Sequence, residues 1–217
     1  MIWRIIMSFI ISGKYKLGFT HIPKTSGTSL RTWFHNIVKK RGDAEFTEIG
    51  YHSTLPEMQL PKDYHSVAII RNPWDRMVSF YEFTKYCEER NFHKSGGAIL
   101  KGQPTKNMDF NDWVKYAHQY YYTHAIQTGA SNQRHPFWFT PITPQTIWLP
   151  QDPTILIRFE KLGEGYRQLH DIMDCDERIP HIYNTKHGPY QDYYNDESRQ
   201  LVAKYFALDI DRWGYTF

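Results

Sequence analysis

The residues best suited to chemistry begin with Pro23-Lys24-Thr25-Ser26-Gly27-Thr28-Ser29, where a lysine, a glycine and several hydroxyl side chains stand together. An ammonium on a flexible stem supplies a mobile positive charge, and the hydroxyls of Thr25, Thr28 and Ser29 supply donors, so the chemistry indicated is phosphate binding. The order is not that of a Walker loop, in which Gly-Lys runs directly into Ser or Thr; here Lys24 precedes Gly27. A second candidate is Arg71 in the corner Arg71-Asn72-Pro73. Alone, the lysine reads as a solvated loop cation and the corner as a turn. For proton transfer, His52 is one of eleven histidines, and imidazole accepts a proton near neutral pH without prior perturbation.

The elements that must position these groups follow from periodicity. Lys16 to His21 reads as a strand, and Leu30, Trp33, Phe34, Ile37 and Val38 then recur at helical spacing, so the Lys24 segment falls where a strand hands over to a helix. Backbone N–H groups and the positive helix end face an anion at such a junction. The helix is predicted to end near Lys39-Lys40-Arg41-Gly42, where cations suit the carbonyl end and glycine suits the cap. Tyr64 to Ile70 repeats the plan as a second strand, followed by a helix marked by Trp74, Met77, Val78 and Tyr81. Thr154 to Arg158 is a third strand, followed by a helix with Tyr166, Leu169, Ile172 and Met173 on one face. Leu201, Val202, Tyr205 and Phe206 mark a closing helix. Alternating strands and helices predict an α/β fold with a central parallel sheet covered by helices on both faces. Residues 91–150 read as an irregular aromatic insertion facing an acceptor; Trp113, Tyr116 and Tyr120 within it are equally spaced for a helix face packed in a satellite core.

Composition sets limits. A chain of 217 residues with 41% apolar residues suits one domain. The formal charge of +3, without long charge blocks, does not indicate a nucleic-acid or membrane surface. Cys87 and Cys175 are the only cysteines and lie in no metal-ligand spacing, which suggests a reducing compartment and a cytoplasmic protein. The apolar run Ile2 to Ile11 is about half the roughly 20 residues of a membrane span and is not followed by a signal-cleavage motif, so a buried strand or added N-terminal element is expected.

His21-Ile-Pro-Lys-Thr-Ser-Gly-Thr-Ser29 resembles the 5'-phosphosulfate loop of the Golgi-type carbohydrate sulfotransferases and their soluble bacterial or viral relatives. Arg71-Asn-Pro-Trp-Asp-Arg-Met-Val-Ser79-Phe-Tyr81 resembles the family's 3'-phosphate motif. Looser matches are Pro144-Gln-Thr-Ile-Trp148, Ile157-Arg-Phe-Glu-Lys-Leu162 and the ending from Asn184-Thr185-Lys186 to Gly214-Tyr215. The resemblance implies a P-loop-like three-layer fold and a sulfuryl donor, 3'-phosphoadenosine 5'-phosphosulfate. It implies that Lys24, Thr25, Ser26, Gly27, Thr28 and Ser29 hold the 5' side of the donor and that Arg71 and Ser79 hold its 3'-phosphate. Asn184, Thr185 and Lys186 are placed by motif position near the adenine. The implied acceptor is a carbohydrate hydroxyl, although a phenol or peptide tyrosine would suit the same aromatic surroundings.

Sulfuryl transfer needs an in-line nucleophile, stabilisation of charge on the leaving oxygen and a base. Lys24 is the candidate for the leaving oxygen. His52 is the candidate base, and Thr54 with Glu57 beyond it reads as a capping box. His21 and Glu160 are the rival bases. The scheme requires no metal, and the second strand ends Ile69-Ile70-Arg71, without the carboxylate a magnesium-dependent kinase would place there. The two other readings are a nucleotide-dependent kinase and a noncatalytic nucleotide- or glycan-binding module.

Overall fold

The computed structural model describes residues 9–49, 54–90, 107–127, 142–182 and 187–217. These fall into two compact units, one built on a sheet within Ile6–Arg71 and Gln145–Asn184, the other helical, within Asn72–Pro144 and Thr185–Phe217.

In the sheet unit, strands β1 (Phe9–Ser12), β2 (Leu17–Thr20), β3 (Thr47–Ile49), β4 (His65–Ile70) and β5 (Ile155–Arg158) lie in the order β3-β1-β2-β4-β5. The centre is parallel as expected: β2 pairs with β4, with Phe19 opposite Val67, and β4 pairs with β5, with Ile70 opposite Arg158. The β1 and β3 edge is antiparallel, because β1 turns straight into β2 through Gly13–Lys16 and a four-residue turn leaves no room for a parallel crossover. Part of the apolar N-terminal run is thus a buried strand.

Alternate side chains explain the core. Leu17, Phe19, Val67, Ile69, Ile155 and Ile157 share one face and receive Leu30, Trp33, Phe34 and Ile37 of α1 (Gly27–Arg41) and Leu169 and Met173 of α4 (Leu162–Met173). Each such buried side chain stabilises the fold by about 1.5–3 kcal/mol relative to exposure. The opposite face of β2 is crossed by the segment around Met58 and Leu60. The Thr20 hydroxyl donates to the Met58 sulfur at 3.4 Å, and a Cβ on Gly18 would stand only 2.5 Å from Leu60. The turn there is a single 3-10 turn, Pro56–Met58, with Leu55 at its N-cap and no side-chain cap, so no α-helix follows Thr54.

In the helical unit, α2 (Pro73–Glu89) starts with proline at its first position, where no N–H is needed, and the Asn72 side chain accepts from the Trp74 N–H at 3.0 Å. The stretch 91–150 is not irregular throughout: α3 (Phe110–Gln127) occupies part of it. Trp113 is fully buried, 5.4 Å from the Phe80 ring and 5.3 Å from the Tyr81 ring, so at this residue helical spacing marks a packing face rather than an acceptor wall. Phe137, Trp138 and Phe139 lie outside the described residues. Two helices close the chain, α5 (Asp196–Tyr205) and α6 (Ala207–Trp213), where the sequence suggested one.

Candidate nucleotide-phosphate site

The loop between β2 and α1 has an uncommon backbone. Lys24 and Ser26 both take positive φ, 67° and 74°, without being glycine. Such residues cost about 1–3 kcal/mol each and persist only where their surroundings enforce them. Left-handed residues between a strand and a helix are also the geometry in which successive N–H groups turn toward a common point and form an anion-binding concavity. The first turn of α1 carries no acidic side chain to oppose an anion.

Several contacts enforce this shape. The buried Thr25 hydroxyl donates to the Ile22 carbonyl at 2.8 Å, closing the loop on itself. Ser26 Oγ lies 3.2 Å from the Tyr166 hydroxyl of α4, whose pKa burial pushes above the usual tyrosine value. Gly27 has no room for a side chain, since a Cβ would stand 2.0 Å from Cδ2 of the His21 imidazole. His21 is itself buried and stacked 6.1 Å from the Phe19 ring. Ser29 Oγ accepts the Ile182 N–H at 3.1 Å, an arrangement that directs the hydroxyl proton elsewhere. Lys24 and Thr28 are half-buried.

Arg71 stands just beyond the end of β4, beside that loop. It is 5% exposed, and its Nη1 donates to the Lys24 carbonyl at 3.2 Å. Its guanidinium carbon lies 3.9 Å from the centre of the Phe159 ring. Its backbone is gripped from the side: the Arg71 N–H donates to Gln145 Oε1 and Gln145 Nε2 donates to the Arg71 carbonyl, both at 2.9 Å. The structure therefore brings Lys24 and Arg71 together, 47 residues apart in the chain. Ser79 is a buried residue of α2, in the helical unit. Glu160 is exposed in the 3-10 turn Phe159–Lys161 after β5. His52, Asn184, Thr185 and Lys186 lie outside the described residues.

Three supporting residues escaped notice as part of the site. Gln145 and Phe159 sit inside the two looser sequence matches, and Tyr166 was visible only as a helix-face residue. Their partners are 74, 88 and 140 positions away in the chain, and no local spacing encodes such pairings.

A five-stranded sheet with a parallel centre, flanked by helices and with a strand-to-helix loop beside an arginine at the neighbouring strand end, is an α/β fold of P-loop-like class. A family model described as the sulfotransferase family matches residues 7–216, and the chain belongs to that family. No curated protein and no solved structure matches it. Among the described residues, no helix is long and apolar enough to cross a membrane.

Proposed function

We propose that the protein transfers a sulfuryl group from 3'-phosphoadenosine 5'-phosphosulfate to a hydroxyl of a carbohydrate. The observation that carries this reading is the bond from Arg71 to the carbonyl of Lys24 at the ends of two paired parallel strands. It supports two anion-binding groups on one donor molecule, as a nucleotide phosphorylated at both its 3' and 5' positions requires.

In this reading Lys24 and the N–H groups of Thr25, Ser26, Gly27 and Thr28 hold the 5'-phosphosulfate. The Thr25 hydroxyl, engaged with Ile22, shapes the loop. Ser29 donates its hydroxyl proton to the donor while accepting from Ile182. Arg71 and Ser79 are assigned to the 3'-phosphate, and Asn184, Thr185 and Lys186 to the adenine side, on their motif positions. The acceptor oxygen forms a bond to sulfur as the bond from sulfur to the phosphate oxygen breaks. His52 takes the acceptor proton, and Lys24 follows the charge that grows on the departing phosphate. The assignment to a carbohydrate acceptor rests on the sequence resemblance.

Calorimetric titration with 3'-phosphoadenosine 5'-phosphate, ATP, and ATP with magnesium tests the donor. Metal-independent binding of the bisphosphate in preference to ATP is expected. Preference for magnesium ATP would replace this reading with a kinase. If bisphosphate binding is found, sulfuryl transfer to glycan acceptors separates the enzyme from a noncatalytic binding module.

A further inference from the structure

Resting on the donor assignment above, we propose that Phe159 is the residue that gives Arg71 its selectivity for a 3'-phosphorylated nucleotide. β4 and β5 pair with Ile70 opposite Arg158, so the next residues along the two strands are Arg71 and Phe159. The register delivers the phenyl ring to the guanidinium, and the two meet at 3.9 Å. Phe159 is held in turn, because it packs against the sheet core and opens the 3-10 turn Phe159–Lys161.

A phenyl face does two things for a buried guanidinium. It attracts the cation through the ring quadrupole, which offsets part of the cost of removing the charge from water. It also leaves the N–H fork unobstructed by the stack, because all five donors lie in the guanidinium plane. A carboxylate at position 159 would attract more strongly but would neutralise the charge and accept the same N–H groups that a phosphate needs. Phe159 holds Arg71 without competing for it. The Gln145 amide pins the backbone on either side of the Arg71 Cα, and Lys24 O accepts from Nη1. The ring adds a constraint of its own, on the tilt of the fork that lies over it. Bidentate recognition of phosphate depends on that tilt, since both N–H vectors must be aimed together.

Phe159 is thus a positioning residue whose effect is confined to the part of the donor that Arg71 reads. The test titrates wild type, Phe159→Leu and Phe159→Tyr with 3'-phosphoadenosine 5'-phosphate and with adenosine 5'-monophosphate, with circular dichroism and melting curves to establish that each variant is folded. Phe159→Leu is expected to weaken the bisphosphate by about tenfold, in the range of a lost desolvated cation–π contact, and to leave the monophosphate within about twofold. Phe159→Tyr, which keeps the ring face, is expected to restore the discrimination. An unchanged ratio in Phe159→Leu, or equal losses for both nucleotides, would overturn the inference. Wild type that binds the two nucleotides equally would instead overturn the donor assignment on which it rests.

Discussion

His21 and Gly27 show how one side chain can dictate another. The imidazole lies so close over the start of α1 that only a residue without Cβ fits at position 27, and the ring is buried between that position and Phe19. This placement supports a loop-shaping role for His21 and weakens its claim to be the proton acceptor, since a base must reach a substrate hydroxyl. Glu160 is exposed in the turn that follows β5. His52 remains the proposed base. His52→Ala is therefore expected to keep the affinity for 3'-phosphoadenosine 5'-phosphate and to lower turnover by about 100-fold or more, as for a lost general base. Parallel calorimetry and steady-state assays check it. Unimpaired turnover would transfer the role to Glu160 or His21.

At the scale of elements, α1 is fastened along its length by the segment 174–182. Near the helix C-terminus, Arg41 donates to the Asp174 carbonyl at 2.7 Å and to both carboxylate oxygens of Glu177 at 3.2 Å. Lys40 reaches Glu177 at 2.9 Å, and the Trp33 indole N–H donates to the Glu177 carbonyl at 2.6 Å. Ile179 joins the core, and Ile182 meets Ser29 in the first helical turn. The segment so links the basic end of the helix to its N-terminal turn. Hydrogen bonding from Lys40 is the chief cause, with Arg41 contributing, that holds the Glu177 carboxyl down to about 2. A carboxyl depressed in the folded state stabilises it above its unfolded pKa and loses that contribution as pH falls through the folded value. Melting temperatures of wild type and Glu177→Gln are accordingly expected to differ most above about pH 5 and to converge as pH approaches 2. The pair is also solvent-accessible, and exposed ion pairs are screened, so added salt should narrow the gap at pH 7. A gap that is as wide at pH 2 as at pH 7 would mean that the carboxylate charge is not what fastens the segment.

For the whole molecule, the parts legible in the sequence were those written in local periodicity and junction chemistry. α1 was legible because Leu30, Trp33, Phe34 and Ile37 repeat on one face, and the loop before it because Lys24 to Ser29 falls where strand periodicity gives way to helical periodicity. The antiparallel edge was not, since the turn from Gly13 to Lys16 carries no two-residue hairpin signal. Nor was the support of Arg71 by Gln145 and Phe159, which depends on β4 and β5 meeting across a long excursion of the chain. Those long-range supports also bear on stability. A ligand that binds only the folded chain stabilises it by about 2.7 kcal/mol at a hundredfold excess over its Kd. For a chain of about this length each kcal/mol raises Tm by about 2–4 °C. Saturating 3'-phosphoadenosine 5'-phosphate is therefore expected to raise the melting transition of the sheet by about 5–11 °C. Adenosine 5'-monophosphate at the same concentration should raise it much less, because it offers Arg71 no 3'-phosphate. Differential scanning fluorimetry reads both. In Arg71→Ala the two nucleotides should give nearly the same shift, whereas an advantage for the bisphosphate that survives the substitution would place recognition of the 3'-phosphate on other residues.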